Sequence, residues 1–163
     1  MEFLDVVDEN DVVIGKKLSH EVIAKGLCHR SAQVLIFNDE GKFLGQLRAK
    51  EKKLFPDMWA NSAAGCIRAG EDPDVGAARE LKEELGIEVA VRPHDWKTTH
   101  AYPDQNVHIR FHRCSILKGR PKSNDGQEIR WVKPEGLKRY TFPPADRAVI
   151  AQLARARFVD PQA

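Results

Sequence analysis

The chain has 163 residues, 42% of them hydrophobic and 31% charged, which fits one compact domain with its own core. Its 26 Lys and Arg against 24 Asp and Glu give a net charge of +2, which excludes an acidic tail and a strongly basic surface that wraps nucleic acid. Apolar runs are far shorter than the ~20 residues of a membrane helix. The three scattered cysteines indicate reduced thiols. We therefore expect a cytoplasmic protein with neither a membrane nor a nucleic-acid polymer as its partner.

The first half of the chain predicts two hairpins and one short helix. The segments FLDVVD and VVIGKKL, on either side of residues 9–11, predict an N-terminal hairpin. Ser19 is expected to cap the helix HEVIAK, which stops at Gly26. A second hairpin is predicted from SAQVLIF and KFLGQL around the turn 38–41. We expect a single domain over residues 1–163, with the hairpin and helix of residues 1–28 as an extension.

The second half predicts strands between two longer helices. Asp72 as N-cap, Pro73 in the first turn and Gly86 after the end predict a helix over residues 73–85. The segments IEVAVR, WKTTHAY, NVHIRFHRCSIL and EIRWV predict strands, and a closing helix is expected from Pro144 to about Phe158. This order of elements predicts a mixed sheet that is covered by helices on two faces.

The helix over residues 73–85 carries three carboxylates at helical spacing. Glu80, Glu83 and Glu84 lie at i, i+3 and i+4, so they share one face. We expect these carboxylates on the exposed side, with the opposite face buried and formed by Val75, Ala78, Leu81 and Leu85. Taken alone, an acidic helix face is typical of solvated surface. The surrounding pattern has to decide whether it carries chemistry.

Residues 65–87 read GCIRAGEDPDVGAARELKEELGI and resemble the Nudix box in full. The box has Gly, five residues, Glu, seven residues, and then Arg-Glu-apolar-x-Glu-Glu-x-Gly-apolar. The resemblance implies an α/β (α+β) fold, namely the Nudix α/β/α sandwich with a mixed central sheet and here an extra N-terminal hairpin. It also implies hydrolysis of a diphosphate linkage with Mg²⁺ or Mn²⁺. Hard carboxylate oxygens suit such ions, which would stand between the helix and a polyanionic substrate.

The resemblance also implies roles for individual residues. By this resemblance, the expected metal ligands are the carboxylates of Glu80, Glu83 and Glu84 and the backbone oxygen of Ala64. Glu80 or Glu83 is the expected proton acceptor, and the choice between them stays open. Arg79 is expected to act in catalysis by orienting a carboxylate through a bidentate contact.

Three further positions of the box have structural roles by the same resemblance. Gly65 is expected to permit a tight backbone turn that frees the preceding carbonyl. Glu71 would tie the loop to the start of the helix, and Gly86 would end the helix.

The N-terminal half is similar to the isopentenyl-diphosphate-isomerase-like branch of the family. The similarity runs through DVVDENDVVIG, GLCHRSAQVLIFNDEGKFL and a basic loop in which Arg48 and Lys53 are candidate phosphate ligands. The chain departs from true isomerases at Ala64, where they have a catalytic Cys, and at Cys66, where they have a metal-binding His. These departures favour the hydrolase, and the isomerase stays as an alternative.

The C-terminal half is similar to MutT-type nucleoside triphosphate pyrophosphatases, through YPDQN, DGQEIRW and FPPADRAVIAQL. This similarity implies a further carboxylate at Asp125, for which Glu128 is a spare candidate and an ordinary Asn-Asp-Gly turn the alternative. Asp146 would contact the base edge of a nucleotide, unless it caps the closing helix. His108 and His112 are expected to be exposed or to line a cleft.

The leading hypothesis is a Mg²⁺-dependent Nudix pyrophosphohydrolase that acts on a nucleoside di- or triphosphate or a nucleoside-diphosphate derivative. A catalytically silent nucleotide-binding domain is the other alternative. The N-terminal hairpin offers a strand edge for pairing, so a homodimer stays open.

Overall fold

A computed structural model describes residues 1–52, 55–103 and 105–155, apart from the side chains of residues 93–95. The elements in chain order are β1 Phe3–Val7, β2 Val13–Leu18, α1 Ser19–Ala24, β3 His29–Ile36, β4 Phe43–Leu47, β5 Trp59–Ala60, β6 Ala63–Cys66, α2 Pro73–Leu85, β7 Glu88–Tyr102, β8 Gln105–Lys118, β9 Ile129–Val132 and α3 Arg147–Arg155. Short 3-10 helices at Pro134–Arg139 and Pro144–Asp146 precede α3.

The strands of the described chain form three sheets. Strands β1 and β2 pair antiparallel, which confirms the N-terminal hairpin. The central sheet has the order β6-β3-β8-β7, and the order of the third sheet is β5-β4-β9. Because β3 and β8 run parallel while the other neighbours run antiparallel, the central sheet is mixed, as predicted.

Helices cover both faces of the central sheet. Helix α2 packs on one face, against Ala32, Val34 and Ile36 of β3. Helix α3 and the 3-10 helices pack on the other face, where Leu35 and Phe111 belong to a second apolar cluster. The period-two alternation of the strands supplies side chains to both clusters. The three-layer arrangement expected from the sequence is confirmed. No helix in the described ranges is long and apolar enough to cross a membrane.

Several predicted boundaries were wrong. Ser19 is the first residue of α1 and not its cap, because its N–H already bonds to Glu2 O of the hairpin. The two strands predicted around residues 88–102 are one strand, β7, whose register shifts between Arg92 and Trp96. The closing helix starts as a 3-10 helix and continues as α3 to Arg155, and its predicted end at Phe158 lies outside the described residues.

The buried face of α2 differs from the predicted one at Val75. Val75 is 61% exposed, whereas Ala77, Leu81 and Leu85 are fully buried. The latter three repeat every four residues and form one stripe, and Val75 lies about 200° around the helix from Ala77. Ala78 is only half-buried.

Ser62 joins the central sheet to the third sheet. Its buried hydroxyl donates to Leu44 O of β4 over 2.6 Å and accepts from the Ile36 N–H of β3 over 2.9 Å. Because Ile36 and Leu44 belong to different sheets, the hydroxyl links a backbone N–H group of one sheet to a backbone carbonyl of the other. Ser62 immediately precedes β6, which carries the start of the box.

We expect Ser62→Ala to lower the free energy of unfolding by about 2 kcal/mol, because a buried N–H and a buried C=O lose their partner. Urea unfolding at constant slope measures the change. Ser115→Ala is the matched control, since its half-buried hydroxyl accepts a hydrogen bond from the Arg92 side chain and bridges no backbone groups among the described residues. An equal loss in both variants would contradict the bridging role.

Candidate active site

Helix α2 is held at its first turn by side-chain and backbone contacts. Asp72 Oδ1 accepts from the N–H groups of Asp74 and Val75, and Pro73 occupies the first turn. At the other end Gly86 has φ +68°, and its N–H donates to Lys82 O. The helix runs over Pro73–Leu85 as predicted.

The loop after β8 binds the C-terminal end of α2. Lys122 N–H donates to Leu85 O over 3.1 Å, and Asn124 donates to Glu84 O from its backbone and to Glu83 O from its side chain. These bonds satisfy carbonyls that a helix end leaves without partners. They also fix the exposed turn that contains Asp125 beside the helix, with Gly126 at φ +74°.

Glu80 is buried, contrary to the prediction that it lies on the exposed side. Only 9% of Glu80 is exposed, while Glu83 is 51% exposed. A Cβ added to Gly65 would lie 2.1 Å from Glu80 Cδ. The carboxylate therefore rests on the backbone of β6. Gly65 has no positive φ, so the prediction of a tight turn was wrong. The position requires glycine because any side chain would overlap the Glu80 carboxylate.

Arg79 links the loop, the helix and strand β6. Its Nε and Nη2 donate to the two oxygens of Glu71 over 2.8 and 3.0 Å, so the bidentate contact is with this residue. Its Nη1 donates to Glu80 Oε1 over 2.7 Å and reaches Glu83 over 3.3 Å, and Nη2 also donates to Cys66 O. The guanidinium holds the pKa of Glu71 below its ordinary value through these hydrogen bonds.

The backbone of Ala64 faces the helix. Ile67 N–H donates to Arg30 O of β3, so alternate residues of the strand point their backbone groups toward β3 and away from it. The Cys66 carbonyl points away, toward Arg79, and the Ala64 carbonyl two residues earlier points to the same side. The Ala64 backbone also hydrogen-bonds to the carboxylate of Glu84.

Glu84 lies in a concentration of negative charge. Burial raises its pKa to about 7, and the charges of Glu80 and Asp125 raise it further against the opposing effects of Ala64 and Lys52. Burial also raises the pKa of Glu80, although Arg79 opposes that shift. At Glu84 the negative charges of Glu80 and Asp125 thus outweigh the positive charge of Lys52.

This donor set fits a divalent cation with hard oxygen ligands. It consists of carboxylate and backbone carbonyl oxygens with excess negative charge, the combination that Mg²⁺ prefers. Within residues 1–52, 55–103 and 105–155, no three Asp, Glu, His or Cys side chains lie close enough to hold an ion by themselves. A site here would therefore need the Ala64 carbonyl beside Glu80 and Glu84.

A second polar group lies on the opposite face of the central sheet, around Asp146. Asn61 Nδ2 donates to Gln33 Oε1 over 3.0 Å, and Asn61 also hydrogen-bonds to Asp146. Burial raises the pKa of Asp146 to about 6, while Asn61 and the charge of Arg48 oppose that shift. In the described structure, the Oδ1 atoms of Asp146 and Asn61 are buried without a hydrogen-bond partner, so this Asp146 oxygen does not cap α3.

Arg48 is near this group. Arg48 Nε donates to Phe55 O, and its charge acts on Asp146 and Tyr102. Lys53 lies outside the described residues. Glu128 forms an exposed ion pair with Arg130 and is not among the charges that act on Glu84.

His112 is buried, contrary to the prediction that it is exposed or lines a cleft. Its Nδ1 lies 3.1 Å from Asp74 Oδ1 and burial lowers its pKa, because its polar strand face is covered by α2. The half-buried His108 lines a cavity, as expected. Gln33 and Asn61, which belong to the polar group around Asp146, were not predicted, since single amides in a strand and a loop carry no recognisable spacing.

The comparison with known families agrees with this geometry. Residues 28–153 match the family model described as the NUDIX domain. The chain belongs to the Nudix hydrolase family, whose members act on phosphorus-containing anhydrides.

Relatives and solved structures support the same assignment. An uncharacterised Nudix hydrolase of Pseudomonas aeruginosa is 33% identical over 135 residues, which cover 82% of this chain and 80% of that protein. An isopentenyl-diphosphate Delta-isomerase of Streptomyces avermitilis is 35% identical over 133 residues, covering 77% and 66%. Other relatives match over about half their length, such as a Listeria monocytogenes Nudix hydrolase at 42% identity, with 53% of this chain and 52% of that protein covered.

The fold is that of solved Nudix and MutT structures. A Deinococcus radiodurans protein superimposes with a TM-score of 0.69 at 23% identity, covering 94% of this chain and 100% of that chain. A MutT protein of Methanosarcina mazei superimposes with a TM-score of 0.68 at 22% identity, covering 78% and 94%.

We expect Glu71→Gln to lower the free energy of unfolding by about 2 kcal/mol near pH 7, because Arg79 loses its charged bidentate partner. Since folding lowers the pKa of Glu71, its contribution is present above the ordinary carboxyl pKa and is lost as the pH falls through the lowered value. Urea unfolding of both proteins should therefore give a smaller difference near pH 3.

The control is Glu128→Gln, which removes a carboxylate from an exposed ion pair and should have little effect at either pH. A difference between wild type and Glu71→Gln that does not shrink on acidification would contradict the role of the ion pair.

Proposed function

We propose that the protein is a Mg²⁺-dependent pyrophosphohydrolase, with Mn²⁺ as a second usable ion, that cleaves the diphosphate linkage of a nucleoside di- or triphosphate or nucleoside-diphosphate derivative. The observation that carries the proposal is the half-buried Glu84 beside Glu80 and Asp125, where burial first and these two negative charges second raise the pKa of Glu84 to about 7. A small-molecule nucleotide in the cytoplasm is the proposed substrate. The predicted homodimer stays a prediction.

The proposed ligands are the Ala64 carbonyl and the carboxylates of Glu80 and Glu84. Glu83, which contacts Arg68 and Arg79, is a further predicted ligand that would join them by a change of its side-chain conformation. When bound, the ion supplies neutralisation of the diphosphate charge and activation of the attacking water. Arg79 fixes Glu80 through one oxygen and leaves Oε2 for another partner. Either Glu80 or Glu83 accepts the proton, the first from a buried position and the second from an exposed one. Asp125 adds negative charge from the loop that binds the end of α2.

The nucleoside is proposed to bind near Asp146. The Oδ1 atoms of Asp146 and Asn61 are buried acceptors without a hydrogen-bond partner in the described structure. They favour a base whose edge presents N–H donors. Arg48 lies close enough to act on Asp146, and its guanidinium suits phosphate. Lys53 remains a predicted phosphate ligand on the basis of sequence alone.

The isomerase alternative finds little support in the position of Cys66. Its side chain packs against the apolar cluster of Leu4, Val6 and Val22 under the hairpin. Burial raises the pKa of the thiol to about 11, and the nearby charges of Glu2 and Glu80 act in the same direction. A thiol held in this way is a poor proton donor to a substrate on the other side of β6. Isopentenyl diphosphate converted to its allylic isomer without phosphate release would reinstate the alternative.

We expect Glu84→Gln to lower kcat at least about 10²-fold, because it removes a charged ligand from the proposed ion site. Hydrolysis is measured with Mg²⁺ and with EDTA on a panel of nucleoside di- and triphosphates, scored for orthophosphate or pyrophosphate. The variant should fold at least as stably as wild type near pH 8, because repulsion from Glu80 and Asp125 is relieved.

Glu88→Gln is the matched control, since this exposed carboxylate forms an ion pair with Lys82 and is not among the charges that act on Glu84. It should keep wild-type activity. Full activity of Glu84→Gln with the same metal requirement would contradict the assignment of the site. Wild-type protein inactive on every substrate would instead favour the silent nucleotide-binding domain.

We expect Asp146→Asn to stabilise the protein by up to about 3 kcal/mol above pH 6, with no gain below about pH 4. Folding raises the pKa of Asp146 to about 6, so above that pH the folded protein must hold a buried charge, which lowers its stability. Below about pH 4 the carboxyl is protonated in both the folded and the unfolded state, so removing its charge has no effect. Urea unfolding across this pH range tests it. If Asp146 contacts the base, the ratio of kcat/KM values between bases should also change, since Asn adds a donor. A pH-independent gain would contradict the buried charge.

A further inference from the structure

The cavity lined by His108 has a volume of about 590 Å³ and lies between the N-terminal hairpin and strands β7 and β8. None of the proposed ion ligands lines it, and α2 reaches it only with its first residue, Pro73. At 1.5 Å per helical residue, Glu80 and Glu84 lie about 10 and 16 Å farther along α2. The cavity is therefore separate from the proposed active site, and its size suits a small metabolite.

The hairpin turn over residues 9–11 forms the roof of the cavity and is fixed by long-range bonds. Arg30 of β3 donates from Nε to Asp11 Oδ1 and from Nη2 to Asp11 O, both over 2.7 Å. These contacts hold Asp11 in a left-handed conformation with φ +63°. His108 Nε2 bonds to Asp8 O over 3.0 Å, while Nδ1 bonds to Thr99 Oγ1 over 2.7 Å. The roof is thus tied to the sheet.

The cavity wall opposite the roof carries two cations, Lys97 and Arg110. Lys97 of β7 and Arg110 of β8 are directly opposite in the ladder, so their side chains leave the same face of the sheet. Both are exposed, and neither forms an ion pair within the part of the chain that the structure describes. Like charges at this position are destabilising unless an anion lies between them. The cation of Arg30, by contrast, is neutralised by Asp11.

We propose that this cavity binds the phosphate group of a small polar metabolite, with the phosphate between Lys97 and Arg110. Phosphate matches this pair because its double negative charge neutralises two adjacent cations, and because a guanidinium group binds phosphate through parallel N–H hydrogen bonds. The remainder of the ligand lies under the turn, where Glu9 and Asn10 offer acceptors for hydroxyl or amino groups. The site does not depend on the proposed hydrolase activity, since it shares none of the proposed ligands.

The test is a titration of the ¹⁵N-labelled full-length chain with inorganic phosphate, without divalent metal and at constant ionic strength. Saturable shifts should appear in the amides of residues 97–99 and 108–110. Lys97→Gln and Arg110→Gln should each weaken phosphate binding about tenfold or more, since each removes a charged hydrogen bond. Lys118→Gln is the matched control, because this exposed lysine of β8 lies outside the cavity and should leave the affinity unchanged.

Folding is checked by thermal unfolding in phosphate-free buffer, where neither cavity variant should melt below wild type because each relieves like-charge repulsion. Phosphate should raise the Tm of wild type and of Lys118→Gln but not that of the cavity variants. Equal phosphate affinity in all four proteins, or shifts confined to Arg48 and α2, would overturn the proposal. Acetate that produces the same shifts at the same concentration would overturn the choice of phosphate.

Discussion

The contact between the Glu80 carboxylate and the bare backbone of Gly65 constrains the rest of this structure. A carboxylate that is buried on a strand needs a cation and tight positioning, and Arg79 supplies both. Because the same guanidinium also donates hydrogen bonds to Glu71 and to the Cys66 carbonyl, it connects the loop before α2, α2 itself and strand β6. The fixed spacing of the Nudix box places the residues of the loop, the helix and the strand where Arg79 can contact all three.

The charge balance around α2 follows from that contact. Arg79 forms ion pairs with Glu71 and Glu80 but not with Glu84, so burial and the charges of Glu80 and Asp125 raise the pKa of Glu84. A protein built only for stability would neutralise or remove such a carboxylate, since its burial weakens the fold. The unneutralised charge is therefore best explained by a ligand that arrives from solution, which is the argument for a cation in the proposed site.

Local sequence signals predicted local structure well and tertiary burial poorly. The bounds of α2 were predictable because Asp72, Pro73 and Gly86 act within one helical turn of their neighbours. The burial of Glu80 was not, since it depends on a strand fifteen residues away that is short, Ala-rich and without period-two alternation. Asn61 and Gln33 were missed for a related reason: their pairing depends on tertiary contacts and leaves no spacing in the sequence.

The N-terminal extension explains how an isomerase-like first half coexists with a hydrolase-like box. Strand β1 bridges to Arg68, Ala69 N–H donates to Phe3 O, and Gly70 N–H donates to Asp5. These bonds fasten the hairpin to the loop that leads into α2. The N-terminal segment that resembles isomerases therefore supports the loop before α2. This structural role needs neither the catalytic thiol nor the metal-binding histidine of an isomerase. Similarity in this region is evidence of common architecture, and the chemistry has to be inferred from the carboxylates alone.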